Sequence, residues 1–263
     1  MLALTPAELA ALLPPLCALA RRAGAEVLRH YENGFTVRVK ADDTPVTEAD
    51  EAAEAIILPT LAPLLPGVPA ISEEESAAGQ SPTLNGARFW AVDPLDGTKE
   101  FIKRTGEFSV NIGLIDEGHP VLGVIYAPVT RMLYAASGPG SAFRQQDGGP
   151  PEAIKARPVP ADGMVVLASR SHDNDQALRE HLAALTVRER RKMGSSLKFC
   201  MIAEADADIY LRMGPTSEWD TAAGQAILEA AGGSVTNLDG SPMIYGKAQE
   251  GYRNPSFVAR GLK

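Results

Sequence analysis

The sequence predicts a mixed α and β protein that is built as two lobes. In the first half, helical segments precede apolar runs separated by turn residues, which predict a meandering, largely antiparallel sheet. After a Gly- and Pro-rich stretch at residues 147–160, strand-like and helix-like segments alternate, which is typical of an α/β unit. We therefore expect an N-terminal α+β lobe over residues 1–157 and a C-terminal α/β lobe over residues 158–263.

The first element is a helix that begins after Thr5. Residues 5–8 (TPAE) match a capping box with proline at the first helical position. Residues 2–19 are apolar, but Pro14, Pro15 and an acidic residue argue against a membrane span or a signal sequence. We expect the two prolines to split the segment, with a second helix that ends near Tyr31.

The later elements follow from local pattern. Alternation predicts a strand at residues 35–39, and residues 42–46 are typical of a loop. Thr47 is expected to cap a helix that holds Asp50 in its first turn. Further strands are predicted at residues 89–92, 108–115, 121–126, 132–135, 164–168, 187–190 and 208–211, and further helices at residues 175–184, 196–204 and 220–231.

Composition limits the class of function. A chain of 263 residues can bury a substantial core, and its formal charge of −8 argues against binding to nucleic-acid polymers. Cys17 and Cys200 are too few for a disulfide framework or a cysteine zinc site. We expect a cytoplasmic monomer or dimer without a transmembrane segment that acts on a small molecule. Peripheral association with the inner membrane stays open.

Residues 90–101 (WAVDPLDGTKEF) carry the clearest chemical signal. An apolar run ends in two acids, and Pro94 starts a bend that we expect to bring Asp93 and Asp96 together. Two close carboxylates repel each other unless a cation lies between them, and Mg²⁺ prefers such oxygen ligands. Gly97 and Thr98 follow at a predicted helix start, where free backbone N–H groups favour an anion.

An ordinary surface turn would explain the same segment, because Asp, Pro and Gly are common turn residues. Acids elsewhere favour the metal site. Glu73 follows an apolar run at residues 68–71, and Asp220 opens a long Ala-rich helix. We expect Glu73 to be a ligand and Glu74 and Glu75 to lie on a solvated face.

These residues resemble the signatures of a known family. Glu73, residues 93–98 (DPLDGT) and Trp219-Asp220 are similar to the motifs of the lithium-sensitive, magnesium-dependent phosphatases typified by inositol monophosphatase, and the similarity covers residues 41–255. The resemblance implies a layered α-β-α-β-α sandwich that binds two or three Mg²⁺ ions. It implies that the metal ligands are Glu73, Asp93, Asp96, Asp220 and the carbonyl of Leu95. It also implies that Asp50 and Thr98 position the attacking water.

A closer resemblance is to the CysQ-type 3'(2'),5'-bisphosphate nucleotidases. Its residues are 99–102 (KEFI), 169–172 (SRSH), 194–200 (GSSLKFC) and 212–216 (RMGPT). A substrate with two phosphates needs a second anion site, and Arg and Lys both suit phosphate. Each side chain also has an ordinary interpretation, as a helix cap or a solvated charge. The substrate-binding residues that we predict are Gly97, Thr98, His172, Ser195, Lys198 and Arg212.

Ser195 and Lys198 are three residues apart at an apparent helix start. We therefore expect them to share one helical face near its positive end.

The predicted reaction is metal-assisted hydrolysis without a covalent intermediate. It converts adenosine 3',5'-bisphosphate to AMP, with 3'-phosphoadenosine 5'-phosphosulfate as a further substrate. Because Asp220 lies in the second lobe and the other acids lie in the first, we expect the site in the cleft between them.

Three alternatives stay open. An inositol monophosphatase or a broad sugar phosphatase would use the same scaffold. Residues 96–98 also resemble the Asp-Gly-Thr of phosphatases with an aspartyl nucleophile, but there the two acids are two residues apart, whereas Asp93 and Asp96 are three apart. The third alternative is a metal or nucleotide binder without catalytic activity.

Overall fold

The computed structural model describes residues 3–40, 43–84, 88–170, 176–183 and 185–262. His172 lies outside these residues. The helices are α1 (Pro6–Asn33), α2 (Glu48–Leu61), α3 (Glu73–Ala77), α4 (Thr98–Ile102), α5 (Gln176–Ala183), α6 (Leu197–Ala203) and α7 (Glu218–Ala230), with a 3₁₀ turn at Ala248–Glu250.

The strands of the first half are β1 (Val37–Val39), β2 (Pro45–Thr47), β3 (Ala70–Ser72), β4 (Phe89–Asp96), β5 (Ser109–Asp116), β6 (His119–Ala127), β7 (Met132–Ala136), β8 (Phe143–Gln146) and β9 (Glu152–Ala153). Those of the second half are β10 (Met164–Ser169), β11 (Val187–Met193), β12 (Ile209–Arg212), β13 (Thr216–Ser217), β14 (Ser234–Asn237), β15 (Arg253–Asn254) and β16 (Phe257–Arg260). Pro45 and Val46, expected in a loop, therefore lie in β2.

Two large sheets organise the described residues, beside the two-stranded pairs β1–β2 and β13–β15. The larger one has seven strands in the order β3-β4-β5-β6-β7-β8-β9, and it is antiparallel except for the β3–β4 pair. This confirms the predicted meander. The smaller one has the order β11-β10-β12-β16-β14, with parallel pairing of β10 to β11 and β12 and antiparallel pairing at β16. Strands β14 and β16, which the sequence pattern did not reveal, make this sheet mixed.

Three apolar clusters lie between five layers. Helices α1 and α2 cover one face of the seven-stranded sheet, for example through Leu16 and Ile57. Helices α6 and α7 lie between the two sheets, where Ile227 belongs to the same buried cluster as strand residues of both. Leu178 and Leu182 of α5 cover the outer face of the five-stranded sheet. The mixed class and the α-β-α-β-α layering are therefore confirmed.

Helix α1 does not divide at its prolines, as we expected, but runs unbroken from Pro6 to Asn33. Proline removes a backbone hydrogen bond and usually kinks a helix. Pro14 and Pro15 lie on the exposed face, together with Ala10 and Ala11, whose carbonyls they leave unpaired. Water can satisfy those carbonyls, while the opposite face stays buried along the helix. None of the helices that the structure describes has the length and apolarity of a membrane span.

Helix α7 lies very close to the seven-stranded sheet. A Cβ atom at Gly123 of β6 would lie 2.3 Å from the carbonyl oxygen of Ala223, and one at Gly113 of β5 would lie 2.9 Å from the Cβ of Ala222. These contacts leave no space for a side chain. Two glycines thus allow the helix that carries Asp220 to pack directly on the sheet that carries Asp93.

Candidate active site

Three acids from separate elements meet at one point. Glu73 begins α3 directly after β3, Asp93 lies in β4, and Asp220 lies in the first turn of α7. One ligand oxygen of each lies within 4.8 Å of the others. The predicted convergence of Glu73, Asp93 and Asp220 is therefore present in the structure.

Asp96 lies in the same strand as Asp93 and not in a turn beyond its end. Asp93 pairs with Asn111 and Asp96 pairs with Ser109, so three steps along β4 match two steps along β5. This is a β-bulge, which inserts one residue and bends the strand. The bend expected at Pro94 is present as this bulge, but the placing of Asp96 in a turn is wrong, because the chain resumes its pairing with β5 at Asp96.

The carboxylate of Asp96 has partners from both halves of the chain. Its Oδ2 accepts hydrogen bonds from the side-chain amide of Asn111, at 3.2 Å, and from the backbone N–H of Ser196. Ser196 also donates from its hydroxyl to Asn111 Oδ1 at 2.8 Å. Asp96 lies outside the three-acid cluster, and these bonds hold it beside that cluster.

Burial and mutual repulsion act on these acids together. Burial raises the pKa of Asp93 well above its usual range, and Glu73 and Asp96 add to that shift. Burial and the charges of Asp96 and Glu73 raise the pKa of Asp220 to about 7. Carboxylates in this condition are stabilised by a cation, and an oxygen-only donor set suits a hard divalent ion. The donors at this point therefore fit a metal ion.

Lys40 supplies a positive charge at the edge of the cluster. Its Nζ lies 2.7 Å from Oε1 of Glu73 and 2.8 Å from Oε1 of Glu74, and its side chain is only 8% exposed. Burial and the charge of Glu73 raise the pKa of Glu74 to about 8. The expectation that Glu74 lies on a solvated face is wrong, because α3 turns its side chain toward Lys40.

Asp50 and Thr98 form a second pair beside the acids. Thr98 Oγ1 donates to Asp50 Oδ1 at 3.1 Å and lies 3.3 Å from the carbonyl oxygen of Leu95. Asp50 Oδ2 accepts from the backbone N–H and the hydroxyl of Thr47, so the helix start expected at Thr47 is a capping box in the structure. Burial raises the pKa of Asp50 to about 6. One carboxylate thus both caps a helix and contacts the threonine.

Gly97 permits the sharp entry into α4. It is the N-cap residue with φ of 94°, in the left-handed region that favours glycine. A Cβ atom there would lie 3.0 Å from the carbonyl oxygen of Glu107. The predicted helix start at Thr98 is confirmed, and the position rejects a side chain for two independent reasons.

The predicted substrate residues that the structure describes share one cavity with the acids. The cavity has a volume of about 230 Å³, and it is lined by Gly97, Thr98, Ser195, Lys198 and Arg212 together with Glu73, Asp93, Leu95, Asp96 and Asp220. His172 cannot be placed, because it lies outside the described residues. A basic set and an acidic set therefore face the same space.

Ser195 and Lys198 do not share a helical face as we expected. Helix α6 begins at Leu197 with Ser196 as its N-cap, and Ser195 precedes it with φ of 50°. Lys198 turns back, so that its Nζ donates to the carbonyls of Met193 and Ser195. The two residues are therefore adjacent through a backbone turn and not through helical spacing.

Lys198 is a buried lysine. Burial lowers its pKa to about 8, Asp96 opposes that shift, and Arg212 adds to it. Its Nζ lies 4.9 Å from the centre of the Tyr210 ring, within the range of a cation–π contact. Arg212, at the end of β12, donates to Ser169 Oγ and to the carbonyl of Pro215. An anion between these two side chains would compensate both charges.

Four residues at the site were not found from sequence. Each of them, Lys40, Glu107, Asn111 and Ser196, makes at least one contact across 33 to 100 residues of chain. No local pattern marks such pairs. Alternation in β5 could have placed Asn111, because a polar residue inside an apolar strand of a predicted sheet is typical of a functional position.

The chain matches the model of the inositol monophosphatase family over residues 8–261. A curated relative from Escherichia coli strain K12, the 3'(2'),5'-bisphosphate nucleotidase CysQ, is 46% identical over 248 residues, which cover 94% of this chain and 98% of the relative. The CysQ protein of Haemophilus influenzae is 32% identical over 264 residues, which cover 95% of this chain and 93% of the relative.

Two solved structures have folds similar to that of this chain. One is the crystal structure of CysQ from Bacteroides thetaiotaomicron, a bacterial member of the inositol monophosphatase family. Its TM-score is 0.77 at 36% identity, and the match covers 93% of this chain and 95% of the CysQ chain. Inositol monophosphatase from Anabaena has a TM-score of 0.73 at 28% identity, with coverage of 96% and 91%.

Proposed function

The chain belongs to the inositol monophosphatase family, and we propose that within it the chain is a magnesium-dependent 3'(2'),5'-bisphosphate nucleotidase. The substrate in this proposal is adenosine 3',5'-bisphosphate, and the products are AMP and inorganic phosphate. The phosphosulfate analogue, 3'-phosphoadenosine 5'-phosphosulfate, is a second candidate substrate, because it presents an anion at the same 5' position.

The observation that carries this proposal is the second charged surface of the cavity. Lys198 and Arg212 line the same cavity as the acidic cluster. We expect a monophosphate to bind on the acidic side alone, and a nucleotide with phosphates on two carbons of one ribose to bind on both. His172 is proposed to join this second anion site.

The proposed metal ligands are Glu73, Asp93, Asp96, Asp220 and the carbonyl of Leu95, for two or three Mg²⁺ ions. The donor set supports this assignment, since three of the carboxylates converge within 4.8 Å. When bound, Mg²⁺ makes water more acidic and offsets the charge of the phosphoryl group.

Asp50 and Thr98 are proposed to orient the attacking water. Because Thr98 Oγ1 donates to Asp50 Oδ1, the lone pairs of the hydroxyl stay available to accept a hydrogen bond from the attacking water. Burial raises the pKa of Asp50 to about 6, so at neutral pH the carboxylate is still mostly ionised and accepts the hydroxyl hydrogen of Thr98. The backbone N–H groups at the start of α4 are proposed to bind oxygens of the 3'-phosphate.

We also propose that the boundary between the lobes lies near Arg157, with residues 1–157 and 158–263 on either side of the cavity. The cytoplasmic location and the monomeric or dimeric state stay predictions from sequence.

The decisive experiment measures phosphate release with Mg²⁺ from four substrates at equal concentration. These are adenosine 3',5'-bisphosphate, its 2',5' isomer, 3'-phosphoadenosine 5'-phosphosulfate and inositol 1-phosphate. We expect kcat/KM to be highest for a bisphosphate nucleotide. A higher kcat/KM for inositol 1-phosphate would instead make the chain an inositol monophosphatase.

A further inference from the structure

Glu107 joins the two halves of the chain beside the cavity, whose lining includes its partner Gly194. It lies just before β5, and its carboxylate accepts three hydrogen bonds from residues 63 and 87 positions away. Oε2 accepts from the backbone N–H of Gly194 at 2.9 Å and from Nε of Arg170 at 3.1 Å. Oε1 accepts from Nη2 of Arg170 at 2.6 Å.

The first partner, Gly194, starts the turn that carries Ser195 and Lys198. A Cβ atom at Gly194 would lie 2.6 Å from Cγ of Glu100 and 2.7 Å from the carbonyl oxygen of Glu107. The turn therefore lies against the N-terminal half without space between them. The other end of the turn is held at Ser196, whose backbone N–H donates to Asp96 and whose hydroxyl donates to Asn111. Glu107 is the acceptor that holds the Gly194 end.

The second partner, Arg170, follows Ser169 at the end of β10. Arg170 Nη2 also donates to the carbonyl oxygen of Lys192 at 3.2 Å, so the arginine spans from β10 to β11. Ser169 Oγ accepts from Arg212. Through one carboxylate, Glu107 thus contacts the turn that carries Ser195 and Lys198, and it contacts Arg170, the neighbour of the serine that accepts from Arg212.

The ion pair is bidentate but partly exposed, so we expect it to add only modestly to the stability of the fold. The side chains of Arg170 and Glu107 are 37% and 26% exposed, and exposed ion pairs typically add less than about 1 kcal/mol. A positioning role explains the geometry better. The same carboxylate accepts a hydrogen bond from the backbone N–H of Gly194, which starts the turn that carries Ser195 and Lys198.

We propose that Glu107 is a positioning residue for the second anion site, acting through Gly194 and Arg170 on Ser195, Lys198 and Arg212. The inference rests on the proposed function, since it concerns the site for the 5'-phosphate. Glu107 itself touches no substrate in this proposal.

The test compares Glu107→Ala and Glu107→Gln with a matched control, Asp162→Asn. Asp162 also pairs with an arginine, Arg188, at 3.0 Å, but both lie away from the cavity lining. KM and kcat are measured for adenosine 3',5'-bisphosphate and for adenosine 3'-monophosphate. The melting temperature of each variant is recorded as well.

A binding measurement without turnover completes the test. Calorimetry with AMP is carried out on the metal-free protein, where the acidic cluster repels phosphate and the second anion site is the favourable one. This titration separates ground-state binding at Lys198 and Arg212 from the reaction.

For Glu107→Ala we expect KM for the bisphosphate to rise about tenfold, as for the loss of about 1.4 kcal/mol of binding. AMP affinity should fall by a similar factor, while kcat, the monophosphate KM and the melting temperature change little. Glu107→Gln should be intermediate, because its amide oxygen still accepts from Gly194. Asp162→Asn should match the wild type.

An equal rise in KM on both substrates, or unchanged AMP affinity in Glu107→Ala and Glu107→Gln, would overturn the positioning role. Should Glu107→Ala fail to fold, Glu107→Gln decides the outcome by the same two measurements. Failure of the proposed function is distinguishable, because the wild type would then show no preference for the bisphosphate.

Discussion

Nζ of Lys40 lies 2.7 Å from Oε1 of Glu73, so a lysine of this chain already neutralises part of the acidic cluster. In the described part of the chain, neither Asp93 nor Asp220 forms an ion pair. Their charges remain for the metal to compensate. These two acids are therefore the positions at which metal binding and protein stability are most directly coupled.

Asp220→Asn should stabilise the metal-free protein at neutral pH. Burial, with Asp96 and Glu73, raises the pKa of Asp220 to about 7. An acid whose pKa is raised on folding adds stability below its unfolded pKa and loses it as the pH rises through the folded pKa. Wild type should thus weaken between pH 4 and 8, and the variant should weaken less. Melting curves in a chelator over this range measure the difference.

The same variant should lose its response to the metal. The Mg²⁺-induced rise in melting temperature should shrink, and kcat should fall by about 10²-fold or more, because charge in the transition state is no longer offset. Asp162→Asn is the control for an exposed acid. Full turnover in Asp220→Asn would remove Asp220 from the metal ligands.

Thr98→Val should lower kcat by about 10²-fold. This is the smallest effect typical of removing a side chain that assists proton transfer. The hydroxyl contact with Asp50 is absent in valine, whereas Thr98→Ser keeps it and should retain most of the activity. The metal-induced rise in melting temperature should be unchanged in both. If valine and serine variants have equal kcat, the hydroxyl does not position the water.

Lys198→Ala and Arg212→Ala should each reduce kcat/KM for adenosine 3',5'-bisphosphate by about ten- to 150-fold, the value of one charge-assisted hydrogen bond. Slow hydrolysis of adenosine 3'-monophosphate should be spared. Steady-state kinetics on both substrates provide the measurement. Equal losses on the two would argue that neither side chain contacts the second phosphate.

The affinity for the bisphosphate should fall above about pH 8. Burial lowers the pKa of Lys198 to about 8, so the free enzyme loses this positive charge as the pH rises through that value. Since bound phosphate favours the charged lysine, kcat/KM should fall with pH more than kcat does. Lys198→Ala should lack this limb of the pH profile. A profile that is identical in wild type and variant would exclude Lys198 as its cause.

Lithium should inhibit at concentrations at which sodium does not, as the family resemblance implies. Ca²⁺ should activate poorly, because it takes more ligands at longer distances than Mg²⁺ does and would displace the water from its path. Activity assays with each cation, with total ionic strength held constant, measure both effects. Full activity with Ca²⁺ alone would contradict the proposed mechanism.

Sequence reasoning succeeded where a local pattern determines the structure. The helix start at Thr47, with Asp50 in its first turn, is predicted from four adjacent residues, and the helix start at Thr98 from a glycine that follows two acids. Both features depend on short-range geometry. The convergence of Glu73, Asp93 and Asp220 was expected for another reason, since the family resemblance implies that all three are metal ligands.

It failed where the outcome depends on distant neighbours. Pro14 and Pro15 could be placed in a continuous helix only once the exposed face of α1 was known. The contact between Lys40 and Glu74, and the one between Glu107 and Gly194, join segments that no periodicity connects. Hydrophobic pattern tells which face of an element is buried, but it does not tell which polar side chain lies opposite.

The close approach of α7 to the sheet bears on how the enzyme takes up its substrate. At Gly113 and Gly123 the helix and the sheet are in contact at backbone level, so the distance between Asp93 and Asp220 is fixed before any ligand arrives. A hinge between the halves would have to break this contact. We therefore expect a rigid, preformed site in which catalysis needs no domain closure, and in which the reorganisation cost of each turnover is small.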